Sequence, residues 1–225
     1  MCAKPATWSV PLATVTLSGR LVRLEPPRLD HQAELNQIAS DARIWTYLTN
    51  FAGDPQAMDV YLRHALHDYK MGAALPFVIR GLSTGGVLGM ARLKEMSREH
   101  RRAEVGTWLS PNAWGSGANT ESKLLILEHA FQSLGCQRIE FRTDSRNVRS
   151  RAALARLGAV AEGTLRRDQI TRTGAIRDTV LFSIIDRDWP HVRRVIQARM
   201  RASNTVAASS HQVVARSAIT DDPQF

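Results

Sequence analysis

The stretch "RAEVGTWLSPNAWGSGANTESKLLILEHAFQSLG", residues 102–135, restricts the fold of this chain more than any other. Its first part is β-rich and runs through Leu109 into a turn that holds Gly115 and Gly117. Beyond the turn, Leu124, Leu127, Ala130, Phe131 and Leu134 recur at three and four residues, the spacing of one helix face, and Gly135 is a natural stop. "QRIEFRTD" then reads as a strand and "NVRSRAALARLG" as a helix ending at Gly158. A strand, a turn, a helix and a returning strand form one crossover unit, which belongs to a sheet covered by helices.

The turn also suggests chemistry. The first backbone N–H groups of a helix lack internal partners and carry the positive end of the helix dipole. Glycines without Cβ let an anion approach those groups directly, so the turn is a candidate phosphate cradle. It lacks the Lys-Ser/Thr ending of a P-loop and the full spacing of a dinucleotide fingerprint. A plain tight turn capped by Thr120 is the alternative.

The remaining elements follow from period and punctuation. "VTLSGRLVRLEP" alternates apolar and polar around a Ser-Gly turn, which gives two short strands. Asp30 is placed as the cap of a helix with Leu35 and Ile38 on its apolar face. Asp54-Pro55 opens a second helix that stops at Gly72. "LPFVIRG", "GGVLGMARLKEM" and "RAEVGTWLS" are three strands, the first two joined through Gly85-Gly86. "EGTLRRDQI" and "IRDTVLFSII" read as a closing antiparallel pair, and "WPHVRRVIQARM" as a terminal helix. The expected organisation is a loose arm over residues 1–13, one domain over 14–200 and a mobile tail over 201–225. The fold class is α/β, with a mixed sheet and helices on both faces.

Charge and cysteine content narrow the partners. The net charge is +9 and the pI about 10.5, which favours anionic ligands. Cys2 and Cys136 are the only cysteines, too few for a disulfide framework, and the seven histidines are scattered without metal-ligand spacing, so no metal is expected. There is no long apolar run and no basic segment leading into one. The expected location is therefore cytoplasmic, with no membrane partner.

Two motifs in order carry a family resemblance. Trp114-Gly115-Ser116-Gly117-Ala118-Asn119 resembles the Gln/Arg-x-x-Gly-x-Gly/Ala loop of the GNAT superfamily of acyl-CoA-dependent N-acetyltransferases. "NVRSRAALARLGA", residues 147–159, resembles that family's Asn-x-x-Ser element. The "EGTLRR" and "RDTVLFSIIDRDWP" segments are similar to the RimJ/RimL-like branch, and the likeness runs from about Leu17 to Trp189. Gly117 fits the loop, whereas Trp114 stands where the family has Gln or Arg, and Asn119 where it has Gly or Ala.

The resemblance implies a mostly antiparallel sheet with one parallel, splayed strand pair. It also implies an acyltransferase that moves an acetyl group from acetyl-CoA to an amine acceptor: a protein N-terminus, an amino acid or another small amine. Leu109, Trp114, Gly115, Ser116, Gly117, Ala118, Asn119, Thr120, Asn147 and Ser150 would then bind the cofactor. Backbone donors at Leu109 and Ser110 would face the thioester carbonyl, and Ser150 would protonate the leaving thiolate.

Several residues keep two readings. Glu104 is either a base acting through water or an ordinary strand carboxylate paired with a nearby Arg. Asn147 is either a cofactor contact or a plain helix cap. The branch's acidic residue on a late strand matches Gln169 here, and simple alternation turns Asp168 to the opposite face. Trp45, Tyr47 and Phe51 either line the acceptor site or pack in the core. Arg149 and Arg151 either reach the 3′-phosphate of CoA or are solvated. A homodimer is expected, with Trp189, Val192, Val195 and Ile196 as its apolar contact. Beside the enzyme stands a second reading: a CoA-binding module that regulates, or contacts nucleic acid through its charge.

Overall fold

The structure, a computed structural model, describes residues 12–202 apart from residue 172. The expected arm up to residue 11 and the expected tail from residue 203 lie outside the described residues. Leu12, assigned to the arm, is buried, and its carbonyl accepts a 2.7 Å hydrogen bond from the Tyr69 hydroxyl.

Eight strands form one sheet. They are β1 (Leu17–Ser18), β2 (Val22–Glu25), β3 (Leu75–Gly81), β4 (Val87–Ser97), β5 (Arg102–Leu109), β6 (Arg138–Asp144), β7 (Val160–Ile170) and β8 (Ile176–Ile185). Their spatial order is β1-β2-β3-β4-β5-β6-β8-β7. Every neighbouring pair is antiparallel except β5 and β6, the parallel pair expected of the crossover. These two share only three register positions, Arg102 with Arg138 through Glu104 with Glu140. Past them β5 stays on β4 as far as Leu109, and β6 stays on β8 as far as Asp144, so the two strands part into a cleft.

Alternation along the strands loads both faces. Phe77, Ile79, Ala91 and Leu93 point to one face, where they pack with α3 (Ala118–Glu128), α4 (Val148–Leu157) and a helix over 189–202, here α5. Val78, Met90 and Trp108 point to the other, against α1 (Gln32–Ala39) and α2 (Pro55–Lys70). This two-sided burial is why β3 reads as an apolar run from Leu75 to Ile79.

Three sequence expectations shift in detail. Asp30 does not cap α1. It lies in a 3₁₀ turn, Leu29–His31, and the His31 Nδ1 accepts from the Arg28 N–H at 3.0 Å. The helix expected from the turn at 115–117 starts at Ala118 and changes at Glu128 into a π turn, His129–Ser133, before Gly135. In α5, Trp189, Val192 and Ile196 are buried within the chain, with Trp189 stacked on Phe131 at 5.2 Å between ring centroids. These three side chains therefore serve the chain's own core and offer no dimer contact.

One buried carboxylate ties the start of the chain to α3. Glu121 accepts from the backbone N–H groups of Arg20 (2.9 Å), Leu21 (2.6 Å) and Val22 (2.8 Å) and is only 3% exposed. A Cβ on Gly19 would sit 2.4 Å from the Glu121 carboxyl carbon, so glycine is what lets the corner close around the acid. Glu121→Ala leaves these amides without acceptors, each costing about 1–3 kcal/mol if buried. The expected loss of stability is at least about 3 kcal/mol in urea unfolding, and less for Glu121→Gln, which keeps one carbonyl oxygen. A loss below about 1 kcal/mol for the alanine variant would show that water replaces the carboxylate freely.

Candidate active site

The parting of β5 and β6 opens a cavity of about 1320 Å³. Its walls are β4 and β5, the turn at 114–117 with the start of α3, β6 with the start of α4, and the segment between α1 and α2. Ten Arg or Lys side chains line it against three Glu.

The turn has the geometry of an anion cradle. Gly115 and Gly117 take positive φ angles of 79° and 86°, and nothing lies within 4 Å of where a Gly115 Cβ would stand. Gly117 itself is the N-cap of α3 and brings no side-chain cap, which corrects the alternative of a turn capped by Thr120. Ser116 Oγ donates to the Ala113 carbonyl at 2.8 Å and accepts from the Ala118 N–H at 3.3 Å. The N–H groups of Gly117, Asn119 and Thr120 have no acceptor among the described residues. One turn further on, the Lys123 ammonium donates to Asn119 Oδ1. Burial pushes that ammonium down to about 8. A phosphate-bearing ligand fits this set: free amides at a helix N-terminus, a glycine that leaves approach open, and a cation one turn along.

The opposite wall starts at α4. Asn147 caps it, its Oδ1 accepting from the Ser150 N–H at 3.0 Å, and both residues line the cavity. Arg149 lays its guanidinium over the Trp114 ring, 3.3 Å from the centroid. The stack joins the two walls of the cleft, and burial holds the Arg149 guanidinium below its usual value. Trp114 in turn donates from Nε1 to the Leu109 carbonyl at 3.0 Å. Arg151 turns away from the cavity, donating to the Ser145 carbonyl.

Of the two backbone donors expected beside the turn, only Leu109 stays available. The Ser110 N–H is hydrogen-bonded to the Leu88 carbonyl at 2.8 Å. In an antiparallel ladder the groups of Leu109 then point away from β4, towards the cleft.

Charged groups line the deeper part of the cleft. Glu104 pairs with Lys94 across β4 at 2.9 Å, so its partner is a lysine and not one of the nearby arginines. Asp168 pairs with Arg142 at 3.0 Å, although alternation turns it from the face of Gln169. The register of β7 shifts between Leu165 and Gln169, and this bulge brings Asp168 to a cavity-lining arginine while Gln169 also lines the cavity. Tyr47 lines the cavity too, whereas Trp45 is buried against Trp108 with Phe51 at its edge.

Lys123, Arg43 and Arg177 carry no sequence motif, and sequence reasoning missed them. Lys123 was legible in one respect: it falls four residues after Asn119, on the same face of α3. Arg43 and Arg177 enter the cavity through tertiary folding alone.

The model of the acetyltransferase (GNAT) domain matches residues 21–160. The chain belongs to the GNAT acetyltransferase family and is an acyltransferase. A Bacillus subtilis (strain 168) relative named as a ribosomal N-acetyltransferase, YdaF, is 31% identical over 168 residues, 74% of this chain and 90% of that one. Spermidine N(1)-acetyltransferase of Escherichia coli (strain K12) is 28% identical over 148 residues, 66% of this chain and 76% of that one. Among solved structures, Mycobacterium smegmatis RimJ in complex with CoA-disulfide superimposes with a TM-score of 0.73 at 25% identity, covering 85% of this chain and 96% of that one.

The lowered Lys123 value predicts a pH signature. An anion bound beside Lys123 favours the ammonium, so CoA binding takes up a proton near pH 8, and affinity falls as pH rises through that value. Isothermal titration from pH 7 to 9.5 in buffers of different ionisation heat is expected to show the uptake. Lys123→Gln is expected to abolish it. Equal uptake in that variant assigns the proton elsewhere.

Proposed function

We propose that this chain transfers an acetyl group from acetyl-CoA to a primary amine in the cleft between β5 and β6. One observation carries the reading: the free N–H groups of Gly117, Asn119 and Thr120 at the start of α3, beside Lys123 and at the mouth of that cleft. When bound, acetyl-CoA supplies an activated acyl thioester. The amine nitrogen attacks its carbonyl carbon, the C–N bond forms, the C–S bond breaks, and the nitrogen sheds a proton while the sulfur gains one.

The residues divide this work by position. The amides of the 115–120 turn hold the pyrophosphate, with Trp114, Ser116 and Ala118 shaping its backbone, and Asn147 fixes the start of α4 beside the pantetheine arm. The Leu109 N–H faces the carbonyl oxygen and stabilises the charge that develops there. The Ser150 Oγ, which has no hydrogen-bond partner among the described residues, returns a proton to the thiolate. Glu104 takes the amine's proton through water, in competition with its ion pair to Lys94. Holding amine and thioester together provides most of the acceleration.

Saturating CoA is expected to raise the melting temperature, with about 2.7 kcal/mol of added stability at a hundred times Kd. Gly117→Val forces a β-branched residue to a positive φ and is expected to remove most of that gain. The unliganded variant's own melting separates this from simple unfolding. No CoA shift in the unaltered protein overturns the reading.

Thiol release against a library of amines tests turnover. Ser150→Ala is expected to lower kcat on the order of 10²-fold with little change in the KM for acetyl-CoA. Glu104→Gln is expected to remove the acid limb of the pH–rate profile. Full activity in the double variant leaves positioning and backbone donors as the whole mechanism.

A further inference from the structure

Arg177 is an unusual residue to find on a cavity wall. It is the second residue of β8, opposite Gln169 on β7, and only 5% exposed. Its Nε donates to Thr179 Oγ1 at 3.0 Å and its Nη1 to the Tyr47 carbonyl at 3.4 Å. Its Nη2 has no acceptor among the described residues, and no carboxylate lies within ion-pair distance of the guanidinium. The acids nearest in charge, Asp144 and Asp168, are engaged by Arg146 and Arg142. Burial holds the guanidinium below its usual value, only partly offset by those acids. A buried cation without a counter-ion is costly unless something else neutralises it.

Two neighbouring arginines also keep N–H groups without acceptors among the described residues, although Arg142 is paired with Asp168. Arg142 Nε is buried with no partner among the described residues. Arg92, across the cavity, rests on the Tyr61 ring at 5.1 Å and has no carboxylate partner among them. All three arginines line the cavity, with Tyr47 and Gln169 beside Arg177. A planar guanidinium with free N–H groups matches a carboxylate or a phosphate, and the amides at the start of α3 already offer phosphates a place.

We infer that Arg177 anchors the carboxylate of the acceptor, so that the amine this protein acetylates carries a carboxylate close to its nitrogen. The inference rests on acetyl transfer at this cavity and adds the acceptor class. The carboxylate neutralises Arg177 while the amine lies towards the parting of β5 and β6. A polyamine has no group for this arginine and brings further positive charge to a wall already rich in it.

The test compares acids with their amides, using the unaltered protein and acetyl-CoA. Free amino acids, the corresponding amino-acid amides and spermidine are assayed by thiol release. Short peptides are included whose first residue is Asp or Glu, or Asn or Gln. The acids are expected to exceed their amides in kcat/KM by on the order of tenfold to a hundredfold, the range of a charge-assisted hydrogen bond. Preference among free amino acids assigns the anchored group to the α-carboxylate, and preference confined to Asp- or Glu-initiated peptides assigns it to a side chain. Arg177→Gln is expected to raise the KM for the acid and erase the acid-over-amide ratio, leaving the KM for acetyl-CoA unchanged. Arg177→Lys is expected to restore part of the ratio. Because Arg177 is buried, urea unfolding of each variant accompanies the kinetics, and the ratio in the unaltered protein stands without any variant. Equal rates for acids and amides, spermidine as the best acceptor, or no turnover of any carboxylate-bearing amine overturns the inference. A protein that does not bind acetyl-CoA at all fails the broader proposal instead, and its binding is measured separately.

Discussion

Parallel pairing of β5 and β6 stops after Glu104 and Glu140, and nearly everything functional follows from that stop. Each strand is held on its far side, β5 by β4 and β6 by β8, so the sheet stays continuous at one end while it divides at the other. The division frees backbone groups that a regular ladder would consume. It places a strand end, a helix start and a second helix start around one opening. The crossover through α3 forces the pair to be parallel, and the parallel geometry gives the opening a floor.

Two features keep the divided sheet from being merely a gap. The Trp114–Arg149 stack spans it from wall to wall, and the Trp114 indole is hydrogen-bonded back to Leu109 on β5. Where the family pattern carries Gln or Arg, this chain has an aromatic ring that holds an arginine from the other side. The ring thereby makes a contact between the walls. Below the stack, charged pairs such as Lys94–Glu104 and Arg142–Asp168 fill the interior of the cleft, and Arg177 stands among them without a carboxylate partner among the described residues.

The sequence was legible wherever one local signal sufficed. Helix periodicity with Asp54-Pro55 and Gly158 as punctuation gave α2 and α4 close to their limits, and β-rich composition between turn residues gave β3 to the residue. The cradle at Gly115 and Gly117 was legible because positive φ has few residue types to serve it. What escaped were features that arise between elements. The bulge in β7 that brings Asp168 to the cavity-lining Arg142 is invisible to a strict period of two. The partner of Glu104 is fixed by register across β4, and the Ser110 amide is taken by Leu88 for the same reason. The inward turn of Trp189, Val192 and Ile196 depends on what α5 packs against, and an apolar helix stripe looks alike whether its cover is the same chain or another.

Glu121 also imposes an order in time. The corner at residues 19–22 leaves the site of synthesis about a hundred residues before the carboxylate that completes it. The β3–β4 and β4–β5 hairpins close over short loops and need nothing beyond Leu109. The corner's three amides stay with water until α3 exists, and a contact of that sequence separation closes slowly compared with a hairpin. The helix that carries the turn at 115–117 is thus clamped by a segment made about a hundred residues earlier, and a nascent chain can hold several strands of its sheet before that clamp exists.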